Sequence, residues 1–276
     1  MKTVIIGASG GIGRAIAIEL ASLAEKDDIL VLQGRSTEKL VTLLSDISLA
    51  SAISLASETK AKKILIQHEF SSDLNELFCN ENGSRTKLAQ KRNCPLDENV
   101  TSSSASELIH QVKTCDRLIV CFGPFLQKPL DKMNFEEWSF ITQQNLALPG
   151  TLISLALPHM MKKKKGNILL FGGTATDEIR AFKTNAAYGA AKIALGSLVK
   201  SVAQNYEEYN IRCNAILPGF VKTEYVNAKQ EAHYIELAGG QPMITTQEIA
   251  HFAIEILTDE SKNGNLFRFD KDWHNK

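Results

Sequence analysis

Short apolar runs recur along the chain, and stretches with helical periodicity separate them. Each run is rich in valine, isoleucine or leucine, as expected of a strand that is buried on both faces of a sheet. These runs predict strands at residues 3–6, 29–33, 64–68, 117–121, 167–171, 211–216 and 266–269. The periodic stretches predict helices at residues 12–25, 36–48, 104–113 and 249–257. A capping box at Thr245–Glu248 marks the start of the last of them.

Alternation of strands and helices predicts an α/β fold, with a single doubly wound parallel sheet of the Rossmann type over residues 1–276. One polar segment, near residues 71–103, is longer than a helix and its loops require. We interpret it as a surface insertion with a short helix at 72–78. The insertion contains two cysteines, but the spacings match no compact zinc pattern, and no metal site is predicted from Cys79, Cys94, His68 and His110.

Charge and composition exclude several classes of function. Acidic and basic residues number 31 each, so the net charge is zero and neither nucleic acid nor a membrane is an expected partner. The chain has no apolar run long enough to cross a bilayer, and its first residues enter a predicted strand rather than a signal peptide. Five scattered cysteines fit a reducing environment and a cytoplasmic location.

A glycine-rich turn follows the first predicted strand directly and opens the first predicted helix. Bare glycines let backbone N–H groups approach a pyrophosphate, and the helix N-terminus adds a partial positive charge. We therefore predict a dinucleotide phosphate site formed by Gly7, Ser9, Gly11, Ile12 and Gly13. A plain strand-to-helix turn is the alternative interpretation.

Tyr188 and Lys192 are four residues apart, so on a helix they project from the same face. A lysine held near a phenol stabilises the phenolate and is expected to lower the phenol pKa. Such a tyrosine can exchange a proton with a carbonyl or alcohol oxygen. The pair alone also fits a solvated helix face. A catalytic role is favoured only because the chain also contains the glycine turn.

Several motifs occur together and in a familiar order: the Gly-x-x-x-Gly-x-Gly spacing, Asn145, the Tyr188–Lys192 pair, and Pro218-Gly219 followed by Thr223. In this order the chain resembles the classical short-chain dehydrogenase/reductase family. The resemblance implies that Tyr188 is the acid/base, that Lys192 also binds the nicotinamide ribose, and that Asn145 holds a relay water. It further implies a homodimer or homotetramer, and nicotinamide contacts from Gly123, Pro218, Gly219, Val221 and Thr223.

The end of the second predicted strand bears on the choice of cofactor. Gly34 stands where an NAD-preferring relative would carry an acidic residue for the ribose hydroxyl. Arg35 follows, and its guanidinium suits a 2′-phosphate by charge and by its forked donors. The sequence thus favours NADP(H) over NAD(H), with a plain surface arginine as the alternative.

The chain departs from the family where a catalytic serine is expected. By its distance from the fifth strand, the matching residue is Gly173, and Thr174 is the nearest hydroxyl, with Thr176 behind it. We predict that Thr174 polarises the substrate oxygen, because a threonine can donate the same hydrogen bond as the serine. Losing such a donor costs a factor of about 10² to 10³ in rate, so a slow site, or one retained only for binding, is the alternative. The resemblance also implies a substrate lid at residues 224–241, with a glycine pair as hinge; an ordinary surface helix and turn is the alternative interpretation.

Two functional hypotheses follow. The first is an NADP(H)-dependent oxidoreductase that interconverts a ketone and a secondary alcohol in a small-molecule substrate, with Tyr188 as acid/base. The second is a dinucleotide-binding sensor or interaction protein of the same fold with little or no catalysis. The missing serine and the polar insertion favour the second. So does the end of the fourth strand, which reads Val120-Cys121-Phe122-Gly123-Pro124 where the family usually has Asn-Asn-Ala-Gly.

Overall fold

The computed structural model describes residues 1–53, 61–70 and 105–270. Its main sheet is entirely parallel, with strand order β3-β2-β1-β4-β5-β6-β9. The strands are β1 (Lys2–Ile6), β2 (Ile29–Gly34), β3 (Lys62–Gln67), β4 (Arg117–Val120), β5 (Gly166–Phe171), β6 (Ile211–Pro218) and β9 (Leu266–Phe269). The predicted fold class is confirmed, and each predicted strand is present.

Helices cover both faces of this sheet. They are α1 (Gly11–Leu23), α2 (Thr37–Ile53), α3 (Ala105–Lys113), α4 (Phe135–Thr142), α5 (Leu148–Lys163), α6 (Ala186–Asn205), α7 (Ala228–Leu237) and α8 (Thr246–Thr258). A π-helical turn, Gln143–Ala147, joins α4 to α5. Helix α2 ends at Ile53, beyond its predicted end at residue 48. The residues after position 48 are mostly small and show no clear helical periodicity, so the sequence pattern did not predict this last part of the helix.

Two apolar layers hold the sheet between the helices. Strand β1 supplies both, because Val4 and Ile6 pack toward α3, α5 and α6, while Ile5 packs toward α1, α2 and α8. All three side chains are fully buried. This alternation explains why the strands are apolar without interruption.

The carboxyl ends of the parallel strands meet at one edge of the sheet, and the predicted site residues follow these ends. A small second sheet lies beside that edge, where β7 (Val221–Lys222) pairs with β8 (Ile244–Thr245). The predicted lid range contains α7. The predicted insertion, its helix at 72–78, Cys79 and Cys94 lie outside the described residues.

No helix in the described ranges combines the length and the apolar character that crossing a membrane requires.

The predicted capping box at the start of α8 is present. The Thr245 side chain accepts a hydrogen bond from the Glu248 N–H at 3.1 Å, and the Glu248 carboxylate accepts one from the Thr245 N–H at 2.7 Å. We expect Thr245→Ala to lower the free energy of unfolding by about 1 kcal/mol, because the Glu248 N–H loses its side-chain acceptor. Urea unfolding measures this.

Thr42→Ala is the matched control. The Thr42 hydroxyl donates only within α2, to the Glu38 carbonyl oxygen at 3.0 Å, so its loss should be neutral or slightly stabilising. Equal losses in the two variants would contradict a capping role.

Candidate active site

The glycine turn between β1 and α1 takes a conformation that side chains would prevent. Gly7 and Gly11 have φ angles of 82° and 51°, a region that favours glycine. A Cβ on Gly13 would overlap the Gly7 carbonyl oxygen, so a bare residue is needed for α1 to pack against the end of β1. The Gly11 N–H donates to the Glu224 carboxylate, which shows that this helix end accepts an anion.

Gln33, at the end of β2, supports the turn and was missed by the sequence reasoning. It is 1% exposed. Its Oε1 accepts a hydrogen bond from the Gly7 N–H at 2.9 Å, and its Nε2 donates to the His68 carbonyl oxygen at 2.6 Å. The side chain therefore joins the ends of three strands. A lone amide within an apolar strand was the available signal.

Gly34 and Arg35, the two residues after Gln33, lie at the outer edge of the glycine turn. Gly34 leaves space there, and Arg35 places a positive charge there. A Cβ on Gly34 would overlap the Ser9 side chain, so bare Gly34 lets Ser9 pack there. The Arg35 side chain is 62% exposed, and its guanidinium lies 3.9 Å from the Glu69 carboxylate. An exposed pair at this distance is weak, so the guanidinium can turn to another anion.

Tyr188 and Lys192 lie together on α6, at the carboxyl end of β5. The Lys192 Nζ is 5.7 Å from the centre of the Tyr188 ring and donates a hydrogen bond of 2.7 Å to the Phe171 carbonyl oxygen. On its other side the Tyr188 ring meets the edge of Phe125, with ring centres 5.0 Å apart. Phe125 was missed, and its sequence carries no signal for this contact.

Burial sets the pKa of both groups. Desolvation raises the pKa of Tyr188 to about 12 and lowers the pKa of Lys192 to about 8, because it penalises the charged form of each. The prediction that Lys192 lowers the Tyr188 pKa is therefore wrong for this structure. Loss of solvent outweighs the attraction of an ammonium that already donates to Phe171.

Asn145 sits in the π-helical turn, a distortion that often marks functional sites. Its Nδ2 donates to the Pro124 and Ile141 carbonyl oxygens at 2.9 and 3.0 Å. Its Oδ1 is buried and has no hydrogen-bond partner among the described residues. A Cβ on Gly123 would lie 3.0 Å from the Lys192 Nζ and close to that Oδ1. Bare Gly123 thus leaves a lysine donor and an amide acceptor side by side, which fits the hydroxyl groups of a ribose.

Gly173 is the residue that faces the tyrosine, as the distance from β5 predicted for the serine position. A Cβ there would lie 3.2 Å from the Tyr188 hydroxyl oxygen. The neighbouring hydroxyls are engaged elsewhere. Thr174 donates to the Pro218 carbonyl oxygen at 3.1 Å, and buried Thr176 bonds to the backbone of Gly173 itself.

The segment after β6 lies between the small sheet and the glycine turn. The Gly219 N–H donates to the Phe269 carbonyl oxygen at 2.8 Å, which leaves Pro218 at the strand end. Val221 pairs with Ile244 in the small sheet. Thr223 lies against the glycine turn, since a Cβ on Gly11 would be 3.3 Å from its Cγ2.

The described residues contain no group of three or more histidine, cysteine or acidic side chains that could hold a metal ion.

Known proteins resemble this chain in sequence and in fold. A family model described as enoyl-(acyl carrier protein) reductase matches residues 96–265, which is more than half of the chain. This chain belongs to the short-chain dehydrogenase/reductase family. The resemblance predicted from the sequence motifs is confirmed.

Individual relatives differ in how much they share with this chain. Dehydrogenase/reductase SDR family member 6 of Aquarana catesbeiana is 30% identical over 148 residues, which cover 50% of this chain and 60% of that protein. An uncharacterized oxidoreductase of Staphylococcus epidermidis is 22% identical, over 94% of this chain and 91% of its own. A solved NADPH dependent reductase involved in bacilysin biosynthesis, YwfH, has a TM-score of 0.73 at 20% identity, with 98% of this chain and 96% of that chain covered.

Burial of Lys192 leads to a prediction about stability and pH. Its pKa of about 8 in the folded protein is below the usual 10.5, so between these values the unfolded chain binds more protons and stability rises with pH. Lys192→Met removes this gain. The wild type should therefore gain about 3 kcal/mol relative to the variant between about pH 7 and about pH 11.

Urea unfolding at several pH values measures the difference. Lys200→Met is the control, because Lys200 is exposed on the same helix and its loss should leave the pH dependence unchanged. If Lys192→Met follows the wild-type curve in parallel, the lysine is not buried as described.

Proposed function

We propose that this protein is an NADP(H)-dependent oxidoreductase that interconverts a ketone and a secondary alcohol. The observation that carries the proposal is that Tyr188, Lys192 and Asn145 lie close together at the edge of the sheet where the parallel strands end. Lys192 donates to Phe171, and beside it lies the Asn145 Oδ1, which has no hydrogen-bond partner within the described part of the chain. The glycine turn lies at the same edge, where a dinucleotide phosphate suits the N–H groups at the start of α1.

The chain's own residues would divide the work. When bound, the nicotinamide would supply or accept a hydride at the substrate carbon. Tyr188 would give a proton to the substrate oxygen in reduction and take it back in oxidation. Lys192 would hold the ribose hydroxyls and stabilise the phenolate, and Asn145 would hold a relay water beside the lysine. The segment at residues 224–241 would form a lid over the substrate.

The expected test of the acid/base is Tyr188→Phe. Removing the only proposed proton donor should lower the rate of carbonyl reduction by about 10² to 10⁴, with NADPH affinity unchanged. NADPH oxidation with a panel of ketones measures the rate, and calorimetry measures the affinity. Tyr209→Phe, after α6, is the control and should retain full activity. Unchanged turnover in Tyr188→Phe would remove the tyrosine from this role.

The hydroxyl that polarises the substrate is the weakest part of the proposed site. We assign it to Thr174, which would have to leave the Pro218 carbonyl oxygen and turn inward. Thr174→Ala should then lower turnover by about 10². Adding Gly173→Ser should restore part of that loss, because a side chain at Gly173 faces the Tyr188 hydroxyl.

Thr184→Ala is the matched control for this pair of variants, since the Thr184 hydroxyl, just before α6, accepts a hydrogen bond from Gln127 in the loop after β4. If Thr174→Ala retains full turnover, Thr174 is not the donor. Gly173→Ser in the otherwise native chain would then show whether a donor was lacking.

The exposed guanidinium of Arg35 supports the choice of NADP(H). Arg35→Ala should weaken NADPH binding by about tenfold or more and change NADH binding little, because only NADPH carries a 2′-phosphate. Calorimetric titration of both cofactors measures this. Glu69→Gln, which removes the neighbouring carboxylate, should keep or improve NADPH affinity. Equal losses for NADPH and NADH in Arg35→Ala would contradict the assignment.

A second candidate function is a dinucleotide-binding sensor or interaction protein with little catalysis. The engagement of Thr174 and Thr176 with backbone groups favours it, as does the raised Tyr188 pKa. Cofactor binding without turnover on any carbonyl in the panel, in the wild type and in Gly173→Ser alike, would select this function.

A further inference from the structure

The segment Thr223–Tyr225, which follows β7, lies directly over the glycine turn. The two oxygens of the Glu224 carboxylate are 3.2 and 3.0 Å from the Gly11 nitrogen, whose N–H donates to them. Bare Gly10 makes room for this approach, because a Cβ there would overlap both the Glu224 carboxylate and the Tyr225 hydroxyl. The carboxylate therefore occupies the first free donor of α1.

Lys39, near the start of α2, fixes the segment from the other side. Its Nζ donates to the Tyr225 hydroxyl oxygen at 3.2 Å and lies 4.6 Å from the centre of that ring. The same Nζ is 3.7 Å from the Glu224 carboxylate. The hydrogen bond to Tyr225 is the main cause that raises the pKa of Lys39. Helix end, carboxylate, phenol and ammonium thus form one connected group.

We propose that Glu224 is an internal competitor for the phosphate of the dinucleotide, and we call Thr223–Tyr225 the phosphate latch. An anion at a helix N-terminus is favoured by the free N–H groups and the helix dipole, and the Gly11 N–H can serve only one anion well. A bound diphosphate must therefore displace Glu224. The displacement also frees Lys39, whose ammonium then becomes available to the incoming phosphate.

The latch rests on the proposed function, because it concerns the same donors, but it makes a distinct claim. A residue that merely lines a cofactor site should weaken binding when it is removed. A competitor should strengthen binding when it is removed. The sign of the change in affinity therefore decides between them.

The experiment is a calorimetric titration of the full chain with NADPH and, separately, with inorganic pyrophosphate. Glu224→Ala should bind both NADPH and pyrophosphate roughly tenfold more tightly, because the contact between Glu224 and Gly11 no longer has to be broken. Glu224→Gln should fall between this variant and the wild type, because an amide oxygen still accepts but carries no charge. Glu231→Ala is the control, as Glu231 pairs with Lys222 at 2.6 Å and its loss removes the same charge nearby.

A second readout needs no cofactor. Amide hydrogen exchange at Gly11 should be faster in cofactor-free Glu224→Ala than in the wild type, and unchanged in Glu231→Ala. Equal exchange at Gly11 in the wild type and Glu224→Ala would overturn the latch. Affinities that stay within twofold of the wild type, or that fall, would also overturn it.

Failure of the latch and failure of the proposed function give different results. If the wild type binds NADPH and Glu224→Ala binds it no more tightly, the latch is wrong and the dinucleotide site stands. If no variant binds a dinucleotide while Glu224→Ala binds pyrophosphate more tightly than the wild type does, Glu224 competes with a phosphate ligand at this helix end and the proposed function is wrong.

Discussion

The hydrogen bond from the Lys192 ammonium to the Phe171 carbonyl oxygen holds the centre of the site together. Lys192 is 4% exposed, so its charge is held away from solvent and this bond is the main compensation for its burial. The bond ties α6 to the end of β5. It thereby fixes the position of Tyr188 one turn earlier, and it places Gly173 opposite the phenol.

The other half of the site depends on close packing rather than charge. Helix α1 begins close to the end of β1 because Gly13 can touch the Gly7 carbonyl oxygen. Gln33 then satisfies the Gly7 N–H that this sharp turn exposes. The glycines allow the close backbone contacts of the turn, and the buried Gln33 amide accepts the hydrogen bond of the backbone N–H that these contacts remove from solvent.

Much of this arrangement follows from the sequence, and the remainder depends on contacts that no local pattern records. The strand order places Gly7, Tyr188 and Lys192 at one edge because parallel strands end together. The direction of the Tyr188 pKa shift was predicted wrongly, since it depends on how much solvent the fold removes. Glu224 reaches Gly11 across 213 positions of sequence, which periodicity cannot reveal. Cytoplasmic location and homodimer or homotetramer assembly stay predictions.

Anchoring of the segment after β6 in the small sheet has a further consequence. Lys222 is the last residue of β7 and pairs with Thr245. Glu224 therefore follows only two residues after a position that the small sheet holds in place. A group on so short a tether acts at an effective local concentration on the order of millimolar or more, whatever the concentration of the protein. Free phosphate well below that concentration would leave Glu224 bound at the start of α1. A dinucleotide also gains contacts along the carboxyl edge of the sheet, and these would allow it to displace Glu224.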